Sequence, residues 1–149
     1  MSGAQLPRRD DFPVLRSITT RWSDEDVYGH VNNVIYYSYF DTAVNGYLID
    51  AAGTDIRRLP AIGVVVETGC RFLRSLSFPV SVQAGLSVTR LGASSITYRI
   101  ALFQEPEAAP AGIGRFVHVY VDADTRRTAE IPAAIRTAVR PLLREPGGG

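Results

Sequence analysis

Residues 24–33 read Asp-Glu-Asp-Val-Tyr-Gly-His-Val-Asn-Asn and stand directly before a long apolar run. Carboxylates and an imidazole can transfer protons, and a carboxylate can also attack a carbonyl carbon. The free backbone amides of a helix N-terminus can hold a developing oxyanion. If a helix begins at the asparagines, both kinds of group lie together, so this segment predicts a site for acid–base or nucleophilic chemistry.

The apolar run from Val34 to Ala52 predicts the helix that would position this site. Apolar residues occupy more than one face of it, which is typical of a buried helix rather than one that rests on a surface. Asn32 or Asn33 suits the N-cap, because an Asn side chain accepts hydrogen bonds from the first free amides. Gly53 suits the C-terminal stop, where left-handed backbone is common.

A sheet is predicted around this helix. Between Val80 and Arg90 apolar residues alternate with polar ones, as in a strand with one covered face. Other stretches rich in β-branched and aromatic residues also predict strands: Val14–Trp22, Ile62–Leu73, Ser95–Gln104 and Gly112–Ala123. Residues 132–143 predict a short amphipathic helix, and residues 145–149 are expected to be disordered. This order predicts an α+β domain in which an antiparallel sheet curls around the helix.

The composition narrows the classes of function. A length of 149 residues without an internal repeat predicts a single domain, 1–149, with flexible tails at 1–12 and 144–149. A formal net charge of +1 at pH 7 leaves no excess field for nucleic acid. The N-terminus is polar and no apolar stretch reaches spanning length, which argues against a signal peptide and a membrane. We therefore expect a cytoplasmic protein.

Several kinds of chemistry fit the sequence poorly. The chain has no lysine, which excludes a lysine nucleophile, and its single cysteine, Cys70, is better interpreted as a small core residue. His30 and His118, the two histidines, are far apart in sequence and give no metal-ligand spacing. Neither a Gly-x-Ser-x-Gly elbow nor a phosphate-binding glycine pattern occurs. We expect no metal and no cofactor.

The pattern Asp-x-Asp-x-x-Gly-His-Val-Asn-Asn-x-x-Tyr, at residues 24–36, resembles the signature of hotdog-fold acyl-CoA thioesterases of the 4-hydroxybenzoyl-CoA thioesterase class. Residues 67–74 resemble the long second strand of that family, and residues 88–95 resemble its turn between the third and fourth strands. The resemblance implies a hotdog fold, with about five antiparallel strands wrapped around one long central helix. It also implies a homodimer with a continuous sheet and sites at the subunit interface, often assembled into tetramers.

The resemblance also implies roles for the residues of the motif. Asp26 corresponds to the catalytic carboxylate, acting as general base or nucleophile, and the backbone amide of Asn33 would polarise the thioester carbonyl. His30 could tune or orient Asp26 or carry a proton, since an imidazole can both donate and accept one. The alternatives stay open at this point: His30 as a brace of the loop, and the aspartates as solvated acids near a helix N-terminus.

Further residues are candidates for substrate binding. Asn32 is a cap or loop brace as readily as a binding group, and Tyr36 lines an acyl pocket or packs. Glu67 is a candidate to face or to brace the partner's site across the dimer that the resemblance implies. Candidates for contact with coenzyme A are the arginines of the strands and the residues of the third-to-fourth strand turn: Arg71, Arg74, Arg90, Gly92, Ser94 and Ser95. An arginine on a strand can equally be solvated only.

Two hypotheses of function follow. The first is an enzyme that hydrolyses an acyl- or aryl-CoA thioester to the free acid and coenzyme A. The second is a hotdog module that binds an acyl-CoA or acyl-carrier thioester without turnover, since fold alone does not decide function. A hotdog dehydratase is a third and weaker option. The sequence does not decide which acyl group is preferred or whether the carrier is coenzyme A or an acyl carrier protein. It also does not distinguish a dimer from a tetramer.

Overall fold

The computed structural model describes residues 5–144. In this part of the chain, five strands form one antiparallel sheet in the order β1-β3-β4-β5-β2. The elements are β1 (Val14–Ile18), α1 (Asn33–Ala52), β2 (Ala61–Phe72), β3 (Val82–Leu91), β4 (Ser95–Gln104), β5 (Gly112–Asp122) and α2 (Ala133–Val139). The predicted α+β order is confirmed, with β1 and β2 at the two edges. None of the helices in residues 5–144 combines the length and apolarity needed to cross a membrane.

Two predicted elements are shorter than expected. The first strand ends at Ile18 rather than Trp22, because Trp22–Asp24 forms a turn of 3₁₀ helix whose last residue accepts a hydrogen bond from the Arg21 amide. The C-terminal helix leaves α geometry after Val139, and Arg140–Leu142 forms a further 3₁₀ turn. Pro141 explains that change, since proline lacks the amide that would continue the helix.

The helix α1 has 20 residues and the predicted ends. The Asn32 side chain caps it by accepting a hydrogen bond from the Val34 amide at 3.0 Å, and Gly53 ends it with a left-handed φ of 66°. One face is buried against the sheet, through Tyr36, Tyr39, Phe40, Ala43, Val44 and Leu48. The opposite face is exposed, including Val34 at 70 %. The prediction of a helix buried nearly all round was therefore wrong for a single chain, because the sheet covers only one side.

Glycines on β5 let α1 approach the sheet closely. A Cβ at Gly114 would overlap the ring of Phe40, and one at Gly112 would lie 3.1 Å from the ring of Tyr36. The aromatic side chains of the helix therefore occupy the space that side chains on β5 would otherwise fill. This contact sets the depth of the N-terminal half of α1 over the sheet.

Residues 9–12 lie against the outer face of the sheet. Phe12 is 6 % exposed and packs edge-on against Phe103. Arg9 Nε donates to the Gln83 side chain at 2.6 Å. These contacts lie within the segment 1–12 for which a flexible tail was predicted. Residues 1–4 and 145–149 lie outside the described residues.

The edge strand β2 exposes an apolar and β-branched stretch at its centre. Val65 is 45 % exposed and Val66 57 %, and Glu67 and Thr68 are exposed as well. A bulge relative to β5 falls between Val65 and Glu67. On its other side, β2 pairs with no strand within residues 5–144. An edge of this kind presents free backbone groups to another chain.

We expect Gly114→Ala to lower the free energy of unfolding by about 2 kcal/mol, because the added methyl group must displace Phe40 or the strand. The matched control is Gly69→Ala on β2, where no atom lies within 4 Å of the added Cβ. Urea unfolding of both variants and the parent measures the difference. Equal stability of the two variants would contradict the close packing of α1 on β5.

Candidate active site

The Asp24 carboxylate is the buried centre of the loop that precedes α1. It is 1 % exposed, and its Oδ2 accepts from the Tyr39 hydroxyl at 2.7 Å and from the Arg21 amide at 2.9 Å. Oδ1 accepts from Arg21 Nε at 3.0 Å. Burial alone raises the pKa of Asp24, but the hydrogen bonds of Tyr39 and Arg21 outweigh it and hold that pKa below its usual value. Asp24 is therefore a charged anchor of the loop.

The neighbouring acid, Asp26, lies in a tight turn that Asp24 supports. The Asp24 carbonyl accepts from the Asn32 amide at 2.9 Å. Within the turn, the Asp26 amide donates to the His30 carbonyl and the Gly29 amide donates to the Asp26 carbonyl, each at 3.0 Å. Gly29 has φ 81°, a backbone conformation that glycine adopts without strain. The turn leaves the Asp26 carboxylate half-buried, with one hydrogen bond from the Tyr28 amide at 2.9 Å.

A cavity of about 360 Å³ brings several predicted residues together. Its lining comprises Asp26, Tyr28, His30, Val31, Asn33, Tyr36, Phe72, Leu73, Arg74 and Ser75. Asn33 is the first residue of α1, and among residues 5–144 no acceptor receives its backbone amide. A carboxylate and the partly positive end of a helix therefore open to the same space.

The apolar wall of this cavity comes from α1 and from the end of β2. Tyr36 is 2 % exposed, its ring packs edge-on against Phe72 at 5.0 Å, and its hydroxyl donates to the Arg74 carbonyl at 3.0 Å. Burial raises the pKa of Tyr36. Tyr36 thus both packs and lines the cavity. The Arg74 guanidinium forms an ion pair with Glu107 at 2.7 Å at the rim.

Other predicted residues lie elsewhere in the single chain. Arg90, Gly92, Ser94 and Ser95 belong to the end of β3 and its turn into β4, at the opposite end of the sheet from Asp26. Arg136 holds that turn by donating to the Gly92 carbonyl at 2.8 Å. Ten residues of β4 separate the two ends, a distance of about 30 Å. A single chain therefore does not bring this turn to Asp26.

Glu67 and Arg71 lie on the outer face of the sheet. Glu67 forms an ion pair with Arg115. Arg71 lines a groove of about 450 Å³ on this outer face, together with Arg99 and Arg115. The sequence analysis did not identify those two arginines. Arg99 and Arg115 are paired across β4 and β5, and that register cannot be read from the spacing of residues along one strand.

The sequence reasoning also missed part of the Asp26 cavity. Leu73 and Ser75 follow β2 directly, and Val31 precedes α1. The Val31 amide donates to the Leu76 carbonyl at 2.9 Å, which brings these two segments side by side. The link joins residues far apart in sequence, so no local signal predicts it. Cys70, which the sequence indicates as a small core residue, packs half-buried against the core, and burial raises its pKa to about 11.

The match to a family model covers most of the chain. Residues 20–139 match the model described as the thioesterase-like superfamily. With the five-stranded sheet around α1 and the cavity beside Asp26 in place, this chain belongs to that superfamily of hotdog proteins.

Solved structures agree with this membership. The PA5185 protein of Pseudomonas aeruginosa PAO1 is 45 % identical, with 93 % of this chain and 97 % of that chain covered and a TM-score of 0.89. The PA2801 protein of the same species, proposed to be a thioesterase, is 29 % identical over 91 % and 99 % with a TM-score of 0.77. Slr0204 of Synechocystis, a 1,4-dihydroxy-2-naphthoyl-CoA thioesterase, shares the fold at 15 % identity, with 84 % and 93 % covered and a TM-score of 0.76. Membership of the thioesterase-like superfamily supports thioester hydrolysis in general terms.

We expect Tyr39→Phe to lower the free energy of unfolding at pH 7 by about 1.5–3 kcal/mol, because the buried Asp24 carboxylate loses a hydrogen bond. Asp24 has a lowered pKa, so the stability that it contributes is present above its unfolded value of 3.8 and is lost as the pH falls through its folded value. The difference between parent and variant should therefore narrow below pH 3.8.

Denaturant unfolding at pH 7 and near pH 3 measures this change. Tyr37→Phe is the control, because within residues 5–144 the Tyr37 hydroxyl makes no hydrogen bond. If both variants lost the same stability at both pH values, the anchoring role of Asp24 would be wrong.

Proposed function

We propose that this protein hydrolyses an acyl-CoA thioester, with Asp26 as the catalytic carboxylate and the Asn33 backbone amide as the oxyanion donor. One observation carries the proposal: Asp26 and Asn33, whose backbone amide has no acceptor within residues 5–144, line the same cavity. Both groups that thioester cleavage needs, one to activate or attack and one to stabilise negative charge, are then within reach of one carbonyl. Membership of the 4-hydroxybenzoyl-CoA thioesterase class, predicted from the motif, is part of this proposal.

In the general-base form of the reaction, Asp26 takes a proton from water as the water oxygen bonds to the thioester carbon. The carbonyl oxygen gains the negative charge and accepts a hydrogen bond from the Asn33 amide. When the carbonyl re-forms, the carbon–sulfur bond breaks and the departing thiolate takes up the proton. In the nucleophilic form, an Asp26 oxygen bonds to the carbon, the carbon–sulfur bond breaks and the thiolate departs. Water then cleaves the resulting anhydride, which gives the free acid and restores the Asp26 carboxylate, and the released proton goes to the thiolate.

His30 supports this chemistry from the same cavity. The hydrogen bond that closes the Asp26 turn uses the backbone carbonyl of His30, not its imidazole. The exposed imidazole is therefore available to carry a proton between Asp26 and the departing thiolate. We assign His30 this secondary role.

Coenzyme A is the carrier that the basic outer groove favours. Three arginines line this groove: Arg71, Arg99 and Arg115. Within residues 5–144, its lining contains no acid, although Arg115 forms an ion pair with the nearby Glu67. Guanidinium groups suit phosphate oxygens. We propose that Arg71 contacts a coenzyme A phosphate, with Arg74 at the mouth of the Asp26 cavity. Neighbours named as CoA thioesterases, Slr0204 among them, support this choice of carrier.

A homodimer would use the exposed edge of β2. Pairing of β2 with the same strand of a second copy would continue the sheet and cover Val65 and Val66. It would also bring the turn at Gly92, Ser94 and Ser95 of one copy towards the Asp26 end of the other. Assembly of such dimers into a tetramer stays a prediction from the resemblance.

We expect Asp26→Asn to lower kcat by at least about a hundredfold, since the amide can neither accept the proton nor attack. Asp124→Asn is the control, because Asp124 lies in an exposed turn after β5, at the end of the sheet opposite to Asp26. This variant should keep the parent rate. Release of free thiol from aryl-, short-chain and long-chain acyl-CoAs measures both variants. An active Asp26→Asn enzyme would refute the assignment, and tight binding without turnover by the parent would support a binding module.

We expect Val66→Lys to convert the dimer to a monomer, because two ammonium groups would then lie near each other across the paired strands. Val80→Lys, at another exposed valine outside β2, should leave the dimer unchanged. Light scattering after gel filtration measures the mass. A dimeric Val66→Lys protein would place the interface elsewhere.

A further inference from the structure

A second cavity, of about 250 Å³, lies at the other end of the fold from Asp26. Half of its lining is aliphatic, and Asn45 and Arg57 add polar groups; the aliphatic residues are Leu48, Ile56, Leu59, Ile62 and Ile135. His118 and Tyr120 on β5 also line it. None of these residues takes part in the thioester chemistry proposed above.

His118 is a buried polar group in this cavity that the fold leaves without a partner. Its side chain is 2 % exposed, and in residues 5–144 nothing forms a hydrogen bond with Nδ1. The rings of Phe116 and Tyr120 flank it, and burial lowers the pKa of His118 to about 4. The imidazole is therefore neutral near pH 7 and can accept one hydrogen bond. Buried polar atoms without a hydrogen-bond partner are rare in native proteins, and each one calls for a structural or functional explanation.

Gly63 keeps the space beside this nitrogen open. A Cβ at Gly63 would lie 3.1 Å from His118 Nδ1 and 3.0 Å from the Tyr120 ring. Gly63 itself lines the cavity, near the beginning of β2. The unpartnered nitrogen thus lies beside the cavity at a position where Gly63 has no side chain to cover it.

A thioester at Asp26 cannot reach this cavity within its own protomer. Twelve residues of α1 separate Asn33 from Asn45, which lines the second cavity, a distance of about 18 Å. Tyr36, Phe40 and Val44 fill the space beneath that part of the helix.

The route across the β2 edge is much shorter. The two cavities use opposite ends of β2, with Ile62 and Gly63 in one and Phe72 in the other. Antiparallel pairing of two copies about the exposed Val66 brings the second copy's Gly63 beside Gly69. From there to Phe72 is three residues and one strand spacing, roughly 11 Å, against about 18 Å along the helix.

We propose that the His118 cavity of one protomer receives the acyl end of the thioester held at Asp26 of the other, and that the preferred substrate is an aliphatic acyl chain with a hydroxyl group far from the carbonyl. The idea rests on the proposed thioesterase function and on the β2 dimer. The aliphatic lining suits a methylene chain, and Nδ1 suits a hydroxyl donor. A volume equal to roughly eight waters suits a medium chain length.

The test compares three coenzyme A thioesters of equal chain length: octanoyl, 3-hydroxyoctanoyl and 8-hydroxyoctanoyl. For the parent protein we expect kcat/KM for the 8-hydroxy substrate to exceed that for octanoyl-CoA by about tenfold, mainly through KM, because the unhydroxylated chain leaves Nδ1 unpaired. The 3-hydroxy substrate, whose hydroxyl lies beside the carbonyl, should show no such gain. In His118→Phe the preference should disappear while octanoyl-CoA is still hydrolysed.

Gly63→Ala provides a second variant should His118→Phe fail to fold. It keeps the imidazole but places a methyl group beside Nδ1, so the preference for the 8-hydroxy substrate should fall in the same way. Equal kcat/KM for the 8-hydroxy and octanoyl substrates in the parent, or an unchanged preference in the folded variants, would overturn the proposal. So would a preference for the 3-hydroxy substrate.

A binding measurement separates this proposal from the hydrolase assignment. Dissociation constants of the 8-hydroxyoctanoyl and octanoyl thioesters are measured by calorimetry on Asp26→Asn, with and without His118→Phe. A preference that depends on His118 supports the cavity even if no thioester is hydrolysed, in which case only the catalytic proposal fails. Equal affinities overturn the cavity proposal whatever the turnover.

Discussion

The buried carboxylate of Asp24 is the interaction on which the candidate site depends. A charge removed from water is tolerated only when hydrogen bonds replace the lost solvation, and here Tyr39 and Arg21 supply them. Those bonds tie the loop to the middle of α1. The loop then has little freedom, and the Asp26 turn and the beginning of the helix are held next to each other.

Close packing of α1 on β5 complements that anchor. The glycines at 112 and 114 let the rings of Tyr36 and Phe40 sit directly on the sheet, so the first turns of α1 lie low over the strands. Tyr36 then reaches the segment after β2, where its hydroxyl meets the Arg74 carbonyl. The cavity beside Asp26 is therefore bounded by contacts from both ends of the sequence motif and from the end of β2.

The edge strand β2 borders both the Asp26 cavity and the His118 cavity. One of its ends borders the Asp26 cavity and the other borders the cavity with His118. Its exposed centre leaves backbone groups free for a second copy, and a two-fold arrangement would reverse the strand direction. In the proposed dimer, that arrangement would bring together two sites that a single chain keeps apart.

Much of the fold follows from the sequence by itself. Alternation along the strands, the Asn32 cap and the Gly53 stop are local signals, and they placed the elements within a few residues. The sequence also singled out Asp26, His30 and Asn33, which share one cavity.

The sequence analysis treated Asp24 and Asp26 alike, however, because both are aspartates in one polar loop. Only packing against Tyr39, fifteen residues away, buries the first and leaves the second open. The exposed face of α1, the pairing of Arg99 with Arg115 and the buried His118 likewise depend on strand register and on which side the sheet covers. Those properties arise from contacts between distant segments, and the local pattern does not encode them.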